Sequence, residues 1–390
     1  MNPRITLKKG KDRALRNFHP WVFSGALGRV PPNLQNGDVV DVFSYEDEFL
    51  GRGFYGSSSI AARIMTFKDE AIDQGFWESR FQSALALRNT LGFPSAKTNA
   101  FRWIHGEGDG LPGLIVDVYG PHLVMQAHHT GIRKNRETIA QALLNAGKVL
   151  GIETIYDKSA DTLQGQEAGE NAWLHGDTAS TEILENGHRF LVNWVEGQKT
   201  GFFLDQRDNR QLLASLAKGR HLLNAYAYSG GFSVYGAMAG AASVHSVDSS
   251  EKAMDLAGEN MKLNKVSCPH QEHVSEVGEF LKSSKDKFDL IVLDPPAFAK
   301  RLSALENGLR GYRNINSTAF KKILPGGILF TFSCSQAVSP EAFQQVVFQA
   351  ASESGRFVRI LHRLSQPADH PVNIYHPEGS YLKGLVLEVE

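Results

Sequence analysis

Strand-length apolar runs alternate with helical segments through the second half of the chain, and this alternation restricts the fold more than any other feature. The runs are Leu222–Ala227, Val244–Asp248, Leu290–Asp294 and Ile328–Phe332. Helical patterns such as Glu251–Leu263 and Asn314–Leu324 separate them, and two further predicted strands, Phe357–Leu361 and Leu382–Val389, close the chain. Buried apolar strands that alternate with helices predict an α/β fold with a mostly parallel, doubly wound sheet.

The first predicted strand of this sheet ends in a glycine-containing turn. Tyr228, Ser229 and Gly230 lead directly into a helix, where backbone N–H groups can approach a ligand at the positive helix end. Asp248 ends the next strand, and a carboxylate there can hold both hydroxyls of a ribose. We therefore expect an adenosine-containing cofactor, and the missing G-x-G-x-x-G spacing argues against a dinucleotide. The alternative is a glycine needed only for strand–helix packing.

Two further strand ends carry groups suited to chemistry on a planar base. Pro295 and Pro296 follow Asp294 and fix a rigid extended backbone, which can present the carboxylate with Phe298 near enough to stack on the base. Cys334 lies at the carboxyl end of a central strand, which is where α/β enzymes build their sites. The alternatives are an ordinary Pro-Pro turn and a buried, unreactive thiol.

The N-terminal region differs in pattern and in charge. Up to residue 70 it shows short strands punctuated by Gly and Pro, which predict a small β-barrel. Seven basic residues and one acid lie between Met1 and Gly37, whereas the whole chain has 41 Lys plus Arg and 42 Asp plus Glu. This local excess, which includes Lys8, Lys9 and Lys11, can neutralise nucleic-acid phosphates. The alternative is a solvated basic terminus.

The segment 71–195 mixes strands and helices and contains no catalytic signature. Trp77–Arg88 and Arg133–Ala146 have helical spacing, whereas Leu114–Tyr119 and His122–His128 have the pattern of a hairpin. We therefore predict three domains: a β-barrel at 1–70, an α+β central domain at 71–195, and the α/β sheet at 196–390.

Cysteine content and apolar run lengths exclude several classes of protein. Cys268 and Cys334 are too few for a disulfide framework in 390 residues, and no ligand cluster surrounds them, so no metal site is predicted. The apolar stretches are too short for a transmembrane helix, and the N-terminus lacks an apolar signal core. We expect a cytoplasmic protein with no membrane partner.

Several motifs together resemble those of class I S-adenosylmethionine-dependent methyltransferases. These motifs are Asn224–Ser233, Val247–Ser250, Leu293–Phe298 and Ser333–Ser335. Further segments resemble the subgroup that carries an N-terminal PUA domain and methylates carbon 5 of cytosine in 23S ribosomal RNA, namely Arg4–Phe23, His105–Gly113, Gly197–Arg207, Asp369–Pro371 and Pro377–Gly384. The resemblance covers nearly the whole chain. It implies an RNA-binding PUA-like domain at 1–70 and a seven-stranded, Rossmann-like methyltransferase sheet at 196–390.

The resemblance also implies roles for individual residues. The cofactor would be S-adenosylmethionine, bound by Lys199, Thr200, Phe203, Gln206, Tyr228, Ser229, Gly230, Asp248, Ser249, Ser250, Glu276 and Asp294. Glu276 stands where the family usually has Asp. Pro295, Pro296 and Phe298 are expected to contact the base, and Lys8, Lys9 and Lys11 to contact RNA.

The implied chemistry uses Cys334 as the nucleophile for carbon 6 of cytosine and Asp294 as the partner of ring nitrogen 3. Many RNA cytosine-5 methyltransferases place a second cysteine after the fourth strand to release the product, and here Pro295 and Pro296 take that place. The expected partner is 23S ribosomal RNA, and the resemblance is compatible with a homodimer. Alternatives are a guanine-nitrogen rRNA methyltransferase that uses the Asp294-Pro-Pro turn, a non-catalytic RNA-binding or ribosome-assembly factor, and a nicotinamide-dependent oxidoreductase, which the glycine pattern disfavours.

Overall fold

The computed structural model describes residues 2–160, 162–163 and 169–390, which form two compact units. The first unit comprises Met1–Ile183, Val192–Leu204 and Ala368–Gly379. The second comprises Leu184–Leu191, Asp205–Pro367 and Ser380–Glu390. Each unit is therefore completed by segments that are distant in sequence.

A six-stranded sheet forms the N-terminal part of the first unit. Its strands are β1 (Arg4–Leu7), β2 (Trp21–Phe23), β3 (Leu27–Arg29), β4 (Val39–Phe43), β5 (Phe49–Tyr55) and β6 (Ile60–Thr66), with a short helix α1 (Arg13–Arg16) after β1. Their spatial order is β2-β6-β5-β4-β1-β3. Only β1 and β4 pair in parallel, and Ile5, Val40 and Val42 from these two strands are fully buried in the sheet's apolar cluster.

A five-stranded sheet with helices follows in the same unit. Its elements are α2 (Gln74–Thr90), β7 (Ala100–His105), β8 (Leu114–Tyr119), β9 (His122–Ala127), α3 (Thr130–Lys134), α4 (Arg136–Ala146), β10 (Thr154–Asp157) and β11 (Ala172–His175), in the strand order β11-β10-β9-β8-β7. The predicted helix from Arg133 to Ala146 is divided at Asn135, which separates α3 from α4. Trp77 and Trp103 share one hydrophobic core with Phe54 and Met65 of the six-stranded sheet.

A buried ion pair holds the C-terminal segment on the first unit. The fully buried Arg88 donates from Nη2 to Asp109 Oδ2 and to the main-chain oxygen of Asp369, each at 2.8 Å. Removing one partner of such a pair costs about 3–5 kcal/mol, because the other charge is left buried without compensation. Arg88 therefore holds the C-terminal segment that contains Asp369 within the first unit.

A seven-stranded sheet forms the second unit. After the two-stranded sheet of β12 (Ser180–Glu185) and β13 (His188–Asn193), its strands are β14 (His221–Ala225), β15 (Ser243–Asp248), β16 (His270–Val274), β17 (Phe288–Leu293), β18 (Ile323–Ser333), β19 (Val358–Leu364) and β20 (Lys383–Val389). The spatial order is β16-β15-β14-β17-β18-β20-β19. The strands from β14 to β18 pair in parallel, and β20 is antiparallel to both of its neighbours. The predicted mostly parallel, seven-stranded sheet is confirmed.

The helices of this unit are α5 (Arg207–Leu216), α6 (Gly231–Met238), α7 (Glu251–Leu263), α8 (Val277–Ser283), α9 (Leu305–Lys322) and α10 (Pro340–Ser354). Helix α7 has the predicted bounds, whereas α9 begins well before the predicted start at Asn314. Gly308 and Gly311 lower the helical propensity of that first part. Tertiary packing nevertheless favours glycine here, because a Cβ at Gly308 would lie 2.6 Å from the Ala299 Cβ. The glycines thus allow the preceding loop to pack closely against the helix. No helix in the described ranges is long and apolar enough to cross a bilayer.

Candidate active site

Parallel pairing brings four sequence-distant motifs to one edge of the seven-stranded sheet. Ala225 at the end of β14 is in register with Val247 of β15 and with Leu293 of β17. Leu293 is in turn in register with Thr331 of β18. The residues that follow these strands, which include the Gly230 turn, Asp294 and Cys334, therefore lie at the same sheet edge, as predicted from the sequence.

The turn after β14 has an unusual backbone. Tyr226, Tyr228 and Gly230 have φ angles of 61°, 44° and 72°, so the strand stops at Ala225 and not at the predicted Ala227. A Cβ at Gly230 would lie 2.9 Å from the Ala257 Cβ on α7. Only glycine fits this close approach, which places the turn and the first N–H groups of α6 at the sheet edge.

The carboxylate of Asp248 fixes this turn. One oxygen accepts a hydrogen bond from the backbone N–H of Tyr228 at 3.1 Å, and the other accepts from that of Ser250 at 3.0 Å. Each carboxylate oxygen can accept a second bond, so Asp248 retains the capacity to bind ribose hydroxyls. The Ser250 hydroxyl accepts from Ala253 N–H and caps α7, and Ser249 is exposed beside it.

A buried amide supports the same turn from below. Asn260 is fully buried and donates from Nδ2 to the main-chain oxygen of Ser229 at 2.8 Å. Its Oδ1 accepts from Leu191 N–H, also at 2.8 Å. The backbone of the turn is therefore held in place independently of any ligand.

The hydroxyl of Tyr226 is influenced by ionisable groups from several elements of the site. Burial raises the pKa of Tyr226 to about 12, and the nearby charges of Glu276, Tyr312 and Asp248 add to the increase. Glu276 is exposed at the start of α8. The charges of two acids therefore act on one aromatic hydroxyl beside the glycine turn.

Asp294 occupies an environment that disfavours its charge. Burial raises the pKa of Asp294 to about 7, the charge of Asp205 adds to the increase, and a hydrogen bond from Gln206 opposes it. Gln206 donates from Nε2 to Asp294 Oδ2 at 3.0 Å and accepts from Asn209 at 2.6 Å. Asp205 accepts from the Tyr381 hydroxyl at 2.7 Å. Asp294 can therefore hold or release a proton near neutral pH.

A hydroxyl network joins the Asp294 turn to the loop of Cys334. The Ser335 hydroxyl lies 2.8 Å from the Tyr312 hydroxyl and accepts a hydrogen bond from the Ala299 N–H at 3.1 Å. Burial raises the pKa of Tyr312, and the charge of Cys334 also acts to raise it. The sulfur of Cys334 is thus electrostatically coupled to Tyr312, and the residue is partly exposed, not sealed in the core.

The residues of the Pro-Pro turn differ in exposure. Pro295 is buried, Pro296 is exposed, and Phe298 is partly buried against Tyr312, with ring centroids 4.7 Å apart. Contact of these three side chains with a base stays a prediction.

Three predicted cofactor ligands belong to the first unit. The Thr200 hydroxyl donates to Asp117 at 2.6 Å and lies 3.0 Å from the Tyr119 hydroxyl, so it is already engaged in a buried network. Lys199 is exposed with a φ of 52°, and Phe203 is partly buried. Their role at the cofactor stays a prediction.

The lysines predicted to contact RNA are exposed on the first unit. Lys8 donates to the main-chain oxygen of Gly25 at 3.2 Å, and Lys9 and Lys11 follow on the same loop. Among the described residues, none of the three lysines has an acidic partner within ion-pair distance. By contrast, other basic residues of this region are paired, namely Arg4 with Asp47 and Arg16 with Asp12 and Glu48.

One group of the described residues has the composition of a metal site. Ligand atoms of His19, His376 and Glu378 lie within 4.8 Å of one another. The Nδ1 of His19 accepts from the Trp21 N–H at 3.1 Å, so the Nε2 of the ring, 3.6 Å from Glu378, is the nitrogen that carries a hydrogen. This tautomer faces the carboxylate as a donor.

The residue-level predictions omitted several groups that the structure places at the edge. The sequence assigns no individual role to Asp205, Tyr226, Tyr312 or Lys383, although the first, second and fourth of these lie within motifs that carry the family resemblance. Their positions depend on burial and on an antiparallel strand, which motif spacing does not show.

Comparisons with known proteins agree with the geometry. Residues 5–67 match a family described as PUA-like domain, and residues 161–385 match one described as S-adenosylmethionine-dependent methyltransferase. The chain is 43% identical to a Shewanella denitrificans protein named ribosomal RNA large subunit methyltransferase I, over 99% of both chains. It is 40% identical to an Alteromonas mediterranea protein of the same name, over 100% of this chain and 99% of the relative.

Solved structures share the fold. A chain described as a SAM-dependent methyltransferase from Streptococcus mutans has a TM-score of 0.85 at 23% identity, covering 99% of this chain and 100% of that one. A methyltransferase structure described as complexed with S-adenosylhomocysteine (SAH) has a TM-score of 0.86 at 23% identity and the same coverage. The predicted combination of a PUA-like domain with a Rossmann-like methyltransferase domain is confirmed.

Replacing Gly230 by alanine tests the cofactor turn. Gly230 and Gly219 have nearly equal φ angles, 72° and 73°, but only Gly230 has a close neighbour, since nothing lies within 4 Å of a Cβ at Gly219. G219A should lose about 1–2 kcal/mol of stability from its left-handed backbone alone. G230A should lose more, and its affinity for S-adenosylmethionine should fall. Denaturation and calorimetry measure both; equal effects of the two variants would contradict the packing argument.

Replacing Asp294 by asparagine tests the effect of its raised pKa on stability. The pKa of Asp294 rises from 3.8 to about 7 on folding, so the folded protein keeps a proton that the unfolded chain releases. The native stability contributed by this group therefore declines as pH rises from about 4 to about 7 and is constant above that range. The melting temperature of D294N, relative to wild type, should increase across the same window. Asp255, exposed on α7, provides D255N as the control; a pH-independent difference for D294N would contradict the assignment.

Proposed function

Because this chain belongs to the family of the ribosomal RNA large subunit methyltransferases and has an S-adenosylmethionine-dependent methyltransferase domain, we propose that it methylates carbon 5 of a cytosine in large-subunit (23S) ribosomal RNA. Cys334 is the nucleophile in this proposal. The observation that carries it is the partly exposed sulfur, which shares a sheet edge with Asp294 and the Gly230 turn.

The residues at the edge suit the cofactor. The Gly230 turn presents backbone N–H groups without a side chain in the way, and Asp248 keeps acceptor capacity for a ribose. Tyr228 and Ser229 would line the methionine part. When bound, S-adenosylmethionine supplies a methyl group attached to a positively charged sulfur.

Cys334 makes an unreactive ring carbon into a nucleophile. Carbon 5 of cytosine is only weakly nucleophilic, but a thiolate that adds to carbon 6 converts the ring into an enamine whose carbon 5 can accept a methyl group. The proton on carbon 5 then goes to a base, the bond between sulfur and carbon 6 breaks, and the thiolate is restored. Pro295 and Pro296 leave no second cysteine at the strand end, so that base is a different group.

Asp294 would control the proton at ring nitrogen 3. Negative charge develops on the ring as the sulfur adds, and a hydrogen-bond donor at nitrogen 3 stabilises it. With a pKa raised to about 7 by burial and by Asp205, the carboxyl can carry that proton at neutral pH. Gln206 holds its orientation through the bond to Oδ2.

The RNA must present an unstacked base. A cytosine inside a duplex cannot reach a thiol at a sheet edge, so single-stranded or loosely paired RNA is favoured. The exposed Lys8, Lys9 and Lys11 would bind its phosphates. The cytoplasm is the compartment in which this substrate is found.

Replacing Cys334 by serine tests covalent catalysis. We expect methyl transfer to RNA to fall by about a thousandfold or more, because a hydroxyl is not ionised at neutral pH. C268S, which changes the other partly exposed cysteine, should keep wild-type activity. Mass spectrometry of the nucleosides should show 5-methylcytidine; a methylated guanine nitrogen would indicate the alternative guanine enzyme, and full turnover by C334S would exclude the thiolate mechanism.

Replacing Lys8, Lys9 and Lys11 by alanine tests the RNA surface. The slope of log Kd for single-stranded RNA against log salt should become shallower by about 2, because each phosphate that is no longer neutralised reduces the slope by about 0.7. Cofactor affinity should not change. These point variants are preferable to deleting residues 1–70, because Phe54 and Met65 belong to a shared core.

The matched control replaces three other exposed lysines of the first unit, Lys68, Lys97 and Lys148. The two triple variants have equal net charge, so a general charge effect would change both slopes equally. Equal slopes for the two variants would contradict a specific RNA role for the N-terminal lysines.

A further inference from the structure

We propose that Lys383 is the cationic partner that stabilises the thiolate of Cys334. The proposal rests on the proposed function, because it assigns how the nucleophile of that reaction is activated. Lys383 acts through Cys334 and is therefore a positioning residue.

Strand topology brings Lys383 to the catalytic edge. β20 is antiparallel to β18, so its first residue lies beside the last residue of β18, with Lys383 in register with Ser333. Cys334 follows Ser333 directly. Although 49 positions separate Cys334 from Lys383 in the sequence, the sheet places them at neighbouring points of one edge.

Two hydrogen bonds hold the ammonium group beside the cysteine loop. Lys383 is 5% exposed, and its Nζ donates to the main-chain oxygens of Ser335 at 2.6 Å and Tyr381 at 2.7 Å. The first of these bonds goes to the residue immediately after Cys334. Two of the three ammonium hydrogens are thus used to fix the position of the charge, and the long side chain has little freedom to move away.

The charges of the two groups interact. Burial lowers the pKa of Lys383 to about 8, and the charge of Cys334 acts against this decrease. Attraction between two charges is mutual, so a cation that is favoured by the thiolate also favours the thiolate. Tyr312 from α9 is also coupled to the sulfur, and because burial keeps this hydroxyl neutral it adds no positive charge of its own.

A buried lysine without this role would be costly. Transferring an ammonium into a protein interior is unfavourable unless it is paired, and main-chain carbonyls supply hydrogen bonds but no full charge. The thiolate supplies that charge. When Cys334 ionises, its S–H bond breaks and the proton passes to solvent, while Lys383 keeps its own proton and the pair becomes neutral overall.

The test measures the reactivity of the thiol, not methyl transfer. In a C268S background only Cys334 remains to react with iodoacetamide, and the alkylation rate reports the thiolate fraction. We expect K383M to lower this rate about tenfold at pH 7, which corresponds to one pKa unit, and to move the pH profile to higher pH. K383R keeps the charge and should restore most of the rate.

Two measurements separate this role from a structural one. K383M should retain its melting temperature within a few degrees and its affinity for S-adenosylmethionine, whereas kcat for methyl transfer falls and KM for RNA does not change. Identical alkylation profiles for K383M and its parent, or failure of K383R to restore the rate in a folded protein, would overturn the proposal.

The failure of this proposal and the failure of the proposed function give different results. Undiminished methyl transfer by C334S would remove the covalent mechanism even if K383M changed the reactivity of the thiol. An unchanged alkylation profile would remove the role of Lys383 and leave the covalent mechanism intact.

Discussion

Parallel strand pairing is the constraint on which the whole site depends. β14, β15, β17 and β18 run in one direction, so their carboxyl ends meet at one edge, and the Gly230 turn, Asp248, Asp294 and Cys334 all lie at these ends. The antiparallel strand β20, which lies between β18 and the edge strand β19, adds a residue from its amino end instead. Motifs more than 100 residues apart, such as Gly230 and Cys334, share an edge for this reason alone.

Burial at this edge shifts the pKa values of two ionisable groups toward neutral pH, one upward and one downward. Burial raises the pKa of Asp294 to about 7 and lowers that of Lys383 to about 8. The carboxyl group can therefore change protonation near physiological pH, whereas the lysine, with the higher pKa, remains mainly protonated there. Gln206 and the carbonyl of Ser335 orient the two groups, so the electrostatic environment and the geometry have the same origin in the packing of this edge.

Much of this organisation could be predicted from the sequence, and the remainder depended on tertiary packing. The apolar runs predicted the sheet, and helix α7 has the predicted bounds because its Ser250 cap and its apolar spacing are local signals. The predicted start of α9 is wrong because its first part contains glycines, which have low helical propensity. The close approach of Ala299 favours glycine there, and the sequence does not show that contact. Lys383 was given no role because only the register of β20 with β18 places it beside Cys334.

The return of the chain to the first unit has a consequence for the order of folding during translation. Arg88 and Asp369, which are 281 residues apart, are joined by a hydrogen bond within that unit. Because translation proceeds from the amino end, the N-terminal unit cannot reach its final packing until the methyltransferase sheet has almost entirely emerged. The early segments therefore remain incompletely packed while later residues are synthesised, because the main-chain oxygen of Asp369 that binds Arg88 is not yet present.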